Sequence, residues 1–216
     1  MELQLKPQNQ QHNTAFVLGN GRSRLAINPT PLLDHGAVYG CNAIYREFEP
    51  HYLIAVDVKM VNEIIGSGYN KTHEVWTNPN KGISSKNYLN MFNPHKGWSS
   101  GPTALWLAAS RGHKHIYILG FDYQGEEGKF NNVYADTFNY KKSTDAATFF
   151  GNWLNQTERV VQEFKHTKFY RVIDTNTLVP DKLGKISNIE HISISEFQNR
   201  YQDTIYSEKT NQKTIV

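Results

Sequence analysis

The chain has one cysteine, Cys41, so it can close no internal disulfide and cannot assemble a cysteine-rich metal centre. Its nine histidines are scattered, and neither an HExxH pair nor a GxSxG elbow occurs, which removes the zinc-hydrolase and serine-hydrolase signatures. No stretch approaches the ~18 apolar residues of a membrane-spanning helix. Residues 1–13 are polar, rich in Gln and Asn, and lack the apolar centre of a secretion signal, so the expected location is the cytoplasm. Basic residues do not cluster: Lys and Arg number 23 against 20 Asp and Glu, spread along the sequence, which leaves no nucleic-acid arm. Glycine motifs of the GxGxxG and Walker types are also missing, so neither a standard dinucleotide site nor a P-loop is supported.

What is present is an ordinary globular composition, with 38% hydrophobic and 20% charged residues in 216 positions, enough for one α/β core. Short apolar runs at residues 15–18, 37–40, 52–56, 74–77, 116–119, 168–173 and 191–194 predict strands. Helical spacing is read at 58–65, 103–111 and 145–164, with a final helix from Ser195. Alternation of the two predicts parallel βαβ units: a single-domain, Rossmann-like α/β fold with a mostly parallel sheet flanked by helices. The expected organisation is a polar tail over 1–13, the nucleotide-binding domain over 14–201 and a polar, loose tail over 202–216. Residues 78–98 and 124–144 read as long polar loops, a length that in compact domains often goes with function. Phe149, Phe150 and Trp153 read as part of a core stripe on the 145–164 helix.

Several of these strands end in residues suited to a ligand. Gly19-Asn20-Gly21-Arg22-Ser23 follows the first strand, where main-chain amides and a missing Cβ fit an anion, although glycines also serve plain turns. Asn42 and Asp57 stand just past other strands; in a parallel sheet such tips share one rim, and the side chains suit ribose, base edges, hydroxyls or a metal ion. Turn and helix-cap roles are the simpler reading of each alone. Ser99-Ser100-Gly101-Pro102 opens a helix with hydroxyls and free amides, and Gly120-Phe121-Asp122 ends the most apolar strand, where Asp122 is a candidate base or hydroxyl ligand.

In this order the motifs Gly19-Asn20-Gly21-x-Ser23, Cys41-Asn42-x-x-Tyr45, Ser99-Ser100-Gly101 and Ile116-Tyr117-Ile118-Leu119-Gly120-Phe121-Asp122 resemble the bacterial sialyltransferases of glycosyltransferase family 42. The resemblance covers roughly residues 16–144 and is weak between Asp57 and Trp98. It implies a Rossmann-like domain, a CMP-activated sugar donor and no required cofactor or metal. It also implies that Asn20 and Asn42 hold the phosphate and sugar region, that Ser100 and Gly101 contact the donor, and that Gly120 and Asp122 shape the base pocket. Tyr134 resembles a tyrosine of the family that stabilises the departing phosphate. The family's catalytic histidine is replaced: the segment before Thr144-Asp145 carries Tyr140, which with His95 and Asp122 is a candidate base. A second resemblance, of Pro50-His51-Tyr52-Leu53-Ile54-Ala55-Val56-Asp57 to the archaeal 6-hydroxymethylpterin diphosphokinases, implies Mg²⁺ held by Asp57 and Asp122. Three functions follow as expectations: a glycosyltransferase with a nucleotide-sugar donor and an unassigned acceptor (a glycan, a small metabolite or a modified nucleic-acid base), a Mg²⁺-dependent diphosphate transferase, or a nucleotide-binding module without catalysis. An oligomer is compatible with each.

Overall fold

A computed structural model describes residues 12–83 and 88–206. Eight strands form one fully parallel sheet. They are β1 (Thr14–Leu18), β2 (Ala37–Cys41), β3 (Tyr52–Ile54), β4 (Val75–Thr77), β5 (Asn90–Met91), β6 (His115–Leu119), β7 (Lys168–Ile173) and β8 (Ile189–Ser193). Their spatial order is β5-β4-β3-β2-β1-β6-β7-β8. The chain lays strands outward from β1 to one edge, crosses back, and continues from β6 on the other side of β1. The strand order therefore reverses between β1 and β6, and in open parallel sheets ligands bind outside the carboxyl ends of strands at such a point.

Helices cover both faces, which explains why β1 is apolar at successive positions rather than alternating. Ala15 and Val17 point into a core layer with α3 (Ser100–Ser110) and α4 (Gly151–Glu163), where Ala104, Leu105, Ala108, Val160 and Val161 are buried. Phe16 and Leu18 point the other way, toward Met60, Val61 and Ile64 of α2 (Val58–Ser67) and Phe197 of a helix over Ile194–Arg200. That last helix starts where Ser193 accepts a bond from the Glu196 amide, a side-chain cap visible in the sequence as Ser-x-x-Glu. The helix α3 is the return crossover. It is buried on nearly all sides because it lies on the middle of the sheet, against β1, β2, β3 and β6, and packs against α4.

Four details differ from the sequence reading. Residues 145–150 are not helical: Ala146 pairs with Lys129 in an antiparallel bridge, and Asp145 accepts from the Lys142 amide, so α4 begins only at Gly151. Residues 55 and 56 leave the expected third strand, because the Val56 amide donates to Ser100 Oγ at 3.1 Å. The loop expected over 78–98 contains the edge strand β5. Residues 202–204, expected to begin a loose tail, form a turn in which Thr204 is buried and its carbonyl accepts from Asn28 at 2.8 Å. Among the described residues, no helix is long and apolar enough to cross a membrane.

Candidate functional site

At the carboxyl end of the sheet lies a cavity of about 330 Å³, lined by residues from five of the predicted strand tips and helix starts: Gly19 to Gly21, Asn42, Asp57, Ser99 to Pro102 and Gly120 to Gln124. Asn20, Asn42 and Ser100, separated by many residues in the chain, meet there.

Four of the five amides of the glycine turn are taken within the protein: Gly19 donates to Leu119 O at 2.8 Å, Gly21 to Gly120 O at 2.9 Å, Arg22 to Asn131 Oδ1 at 2.9 Å and Ser23 to Asp122 Oδ2 at 3.2 Å. The glycines serve close packing of the two turns that follow β1 and β6. A Cβ on Gly19 would stand 2.6 Å from Gly120 O, and one on Gly21 would stand 2.5 Å from Asp122 Oδ2. Ser23 is not in the cavity lining; its hydroxyl donates to Asp122 Oδ1. Asp122 thus takes bonds from Ser23 N, Ser23 Oγ and Asn131 Nδ2, which makes it a strut between the turns rather than a free base.

Further donors come from α3. Its first turn opens with the bond from Thr103 N to Ser99 O, so the amides of Ser100 and Gly101 precede the helical ladder and have no acceptor among the described residues. Ser100 Oγ accepts from Val56 N and donates to Asn42 Oδ1 at 2.7 Å. With its oxygen engaged in this way, the Asn42 amide nitrogen is turned out as a donor. Asn42 sits in the left-handed region at φ 54, a conformation that asparagine tolerates better than most residues. Asn20 Nδ2 donates to Cys41 O at 3.1 Å, while its buried Oδ1 has no protein donor among the described residues. Burial pushes the Cys41 thiol up to about 12, so this residue is no nucleophile.

Loss of the Ser100 hydroxyl removes both of its bonds. Ser100→Ala is therefore expected to cost about 1–3 kcal/mol of folding stability, because Val56 N–H is left without an acceptor. A urea midpoint unchanged within error would show that this hydroxyl is dispensable.

The lining also holds aromatic and amide side chains, Phe121, Tyr123, Phe130, Asn131, Phe150 and Trp153 among them. The sequence reading placed Phe149, Phe150 and Trp153 in the core. Phe150 and Trp153 do pack against the core layer under α3 and also line the cavity, whereas Phe149 is 75% exposed. A second residue missed is Arg171 of β7. It is fully buried, and its guanidinium donates to Phe121 O at 2.8 Å, Asp122 O at 3.0 Å and Leu178 O at 3.0 Å, thereby shaping the turn after β6. A cation inside the apolar run Phe169-Tyr170-Arg171-Val172-Ile173 was the available signal.

A second cavity of about 400 Å³, lined by Asn42, Asp57, Val58, Lys59, Met60, Asn139 and Tyr140, adjoins the first through Asn42 and Asp57, which line both. Asp57 is exposed at the start of α2 and makes no capping bond to that helix. Among the described residues, no hydrogen bond or ion pair engages its carboxylate. Tyr140 faces this cavity, but burial pushes its hydroxyl up to about 12, outweighing the Ala43 amide and the Arg46 charge that favour the phenolate. Lys141, whose ammonium stands over the Phe130 ring at 5.9 Å, does not counter this, so Tyr140 stays protonated at neutral pH. Tyr134 lines neither cavity: its buried hydroxyl donates to Glu47 Oε1 at 2.6 Å and accepts from Arg24 Nη2 at 3.2 Å. His95 is exposed and also outside both linings. No group of three or more His, Cys, Asp or Glu residues placed to hold a metal occurs among the described residues.

No protein-family model matches the chain, and no curated protein matches it. Among solved structures, the monofunctional alpha-2,3-sialyltransferase Cst-I from Campylobacter jejuni is similar in fold, at 14% identity and a TM-score of 0.49 over 99% of this chain and 98% of that one.

Proposed function

We propose that the chain is a transferase that binds a nucleotide-activated sugar in the first cavity and passes the sugar to a hydroxyl acceptor in the second. The observation that supports this reading is that the two cavities share Asn42 and Asp57, so a donor in one and an acceptor in the other would lie side by side. A nucleobase would stack on the aromatic part of the lining beside Phe150 and Trp153. The phosphate then lies toward Ser100, Gly101 and the Asn42 amide nitrogen, neutral donors aimed at the place where charge develops as the leaving group departs. The volume suits a ligand of this size, since such pockets hold ~300–1,000 Å³.

The motif resemblance to the family 42 sialyltransferases makes CMP-linked sialic acid the first donor to test, and in this reading Mg²⁺ is not needed. The Mg²⁺-dependent alternative asks for Asp57 and Asp122 together, and Asp122 is already bonded to Ser23 and Asn131. Cytoplasmic location and the wider choice of acceptor belong to the same proposal.

Thermal denaturation with CMP, UDP, GDP and ATP, each with and without Mg²⁺, tests the reading. A nucleotide at 100 times its Kd is expected to add ~2.7 kcal/mol. Asn20→Ala and Ser100→Ala are expected to remove most of that gain. A shift seen only with ATP and Mg²⁺ favours diphosphate transfer. Binding without turnover of any nucleotide sugar reduces the protein to a binding module.

A further inference from the structure

We infer that Asp57 is the base that takes the proton from the acceptor hydroxyl, an inference that rests on the transferase reading above and supplies the group that reading lacks. Four observations lead to it. Asp57 lines both cavities, at the junction where a donor sugar and an acceptor would meet. An aspartate at a helix start ordinarily accepts from its own first-turn amides, yet this one does not. Its backbone is fixed from behind, because the preceding residue, Val56, donates its amide to Ser100 Oγ, and Ser100 in turn holds Asn42. The other candidates are engaged or unsuited: Asp122 is bonded to Ser23 and Asn131, burial keeps Tyr140 protonated, and His95 lies outside both cavities.

The chemistry balances. An acceptor hydroxyl in the second cavity gives its proton to an Asp57 carboxylate oxygen while the hydroxyl oxygen's electron pair forms a new bond to the anomeric carbon. The bond from that carbon to the donor phosphate breaks, and its electron pair leaves on the phosphate oxygen, facing the Ser100 and Gly101 amides and the Asn42 side chain. Asp57 is exposed, so the proton passes to solvent once the product has left. Val58 and Met60 beside it offer an apolar wall for the carbon face of a sugar acceptor.

Asp57→Asn removes the base and keeps the size. Transfer to a hydroxyl acceptor is expected to fall about 100-fold or more in kcat, within the range for general bases, while nucleotide affinity changes by less than about 3-fold. Asp57→Ser, a residue equally suited to a helix start, is expected to show the same loss at unchanged thermal stability. Azide as acceptor is already anionic and needs no base, so both variants are expected to transfer sugar to azide at close to the wild-type rate. Hydroxyl transfer that survives in Asp57→Asn overturns the assignment and leaves the transferase reading intact. Azide transfer that falls in step with hydroxyl transfer also overturns it, by showing a structural role. Loss of transfer on adding EDTA assigns the carboxylate to a metal instead. A wild-type chain that transfers no sugar from any donor overturns both readings together.

Discussion

Replacing Arg171 by leucine is expected to destabilise the protein by about 3 kcal/mol or more and to abolish the nucleotide binding proposed above. This guanidinium is fully buried, and its hydrogen bonds go to the carbonyls of Phe121, Asp122 and Leu178 rather than to a carboxylate. It also packs over the Tyr123 ring at 4.9 Å. Burial lowers its pKa, yet a guanidinium begins so high that it stays charged in the fold. Leucine relieves the cost of burying that charge. It also strands the Phe121 and Asp122 carbonyls in the interior, at about 1–3 kcal/mol each, and frees the turn that walls the cavity. Lysine is expected to recover only part of the loss, because one ammonium cannot match a planar fork directed at three separate oxygens. Urea denaturation reads the effect as a lower midpoint at constant slope. A leucine variant within 1 kcal/mol of wild type, by that order-of-magnitude scale, would mean that the turn is held by other contacts.

Substitution of Gly21 by alanine is expected to cost about 1–3 kcal/mol and to disable the site, even though its backbone at φ −65 is open to any residue. The effect is steric: the new methyl would lie 2.5 Å from Asp122 Oδ2 and 2.7 Å from Gly120 O, and relief requires moving either the strut or the backbone of the neighbouring turn. If Asp122 moves, its bonds from Ser23 and Asn131 are strained, and with them the cavity wall. Gly66, inside α2, supplies the contrast. A Cβ there meets nothing within 4 Å, so Gly66→Ala is expected to stabilise by up to about 1 kcal/mol through helix propensity and a less flexible unfolded chain. Equal effects at the two glycines would sink the packing argument.

The seven strands expected from apolar runs are present, because a strand buried on both faces must be apolar at nearly every position, which is a local signal. The placing of Gly19, Asn20, Asn42, Asp57, Ser99, Ser100, Gly101 and Gly120 around one cavity follows from the same logic, since parallel strands put their carboxyl ends on one rim. The roles were less legible. Gly19 and Gly21 carry the pattern of an anion loop, yet their amides turn to Leu119 and Gly120, about a hundred residues away. Tyr134 looks like a site residue, but its pairing with Glu47 and Arg24 keeps it out of both cavities, while Tyr140 lines the second cavity with a hydroxyl that burial keeps protonated. Phe150 and Trp153 pack against the core as their spacing suggests, and no period reveals that the same two side chains also wall the cavity.

By itself, the amino-acid sequence determined the class of fold and which residues stand at strand tips, because apolar run length, glycine and helix-start residues act over a few neighbouring positions. Only the tertiary structure decided which tips are bonded to each other, which aromatic side chains wall the cavity, and that Asp57, between two cavities, has a carboxylate with no partner among the described residues. Those outcomes depend on hydrogen bonds and close approaches between segments far apart in the chain, and a local pattern carries no record of which partner a polar group will find.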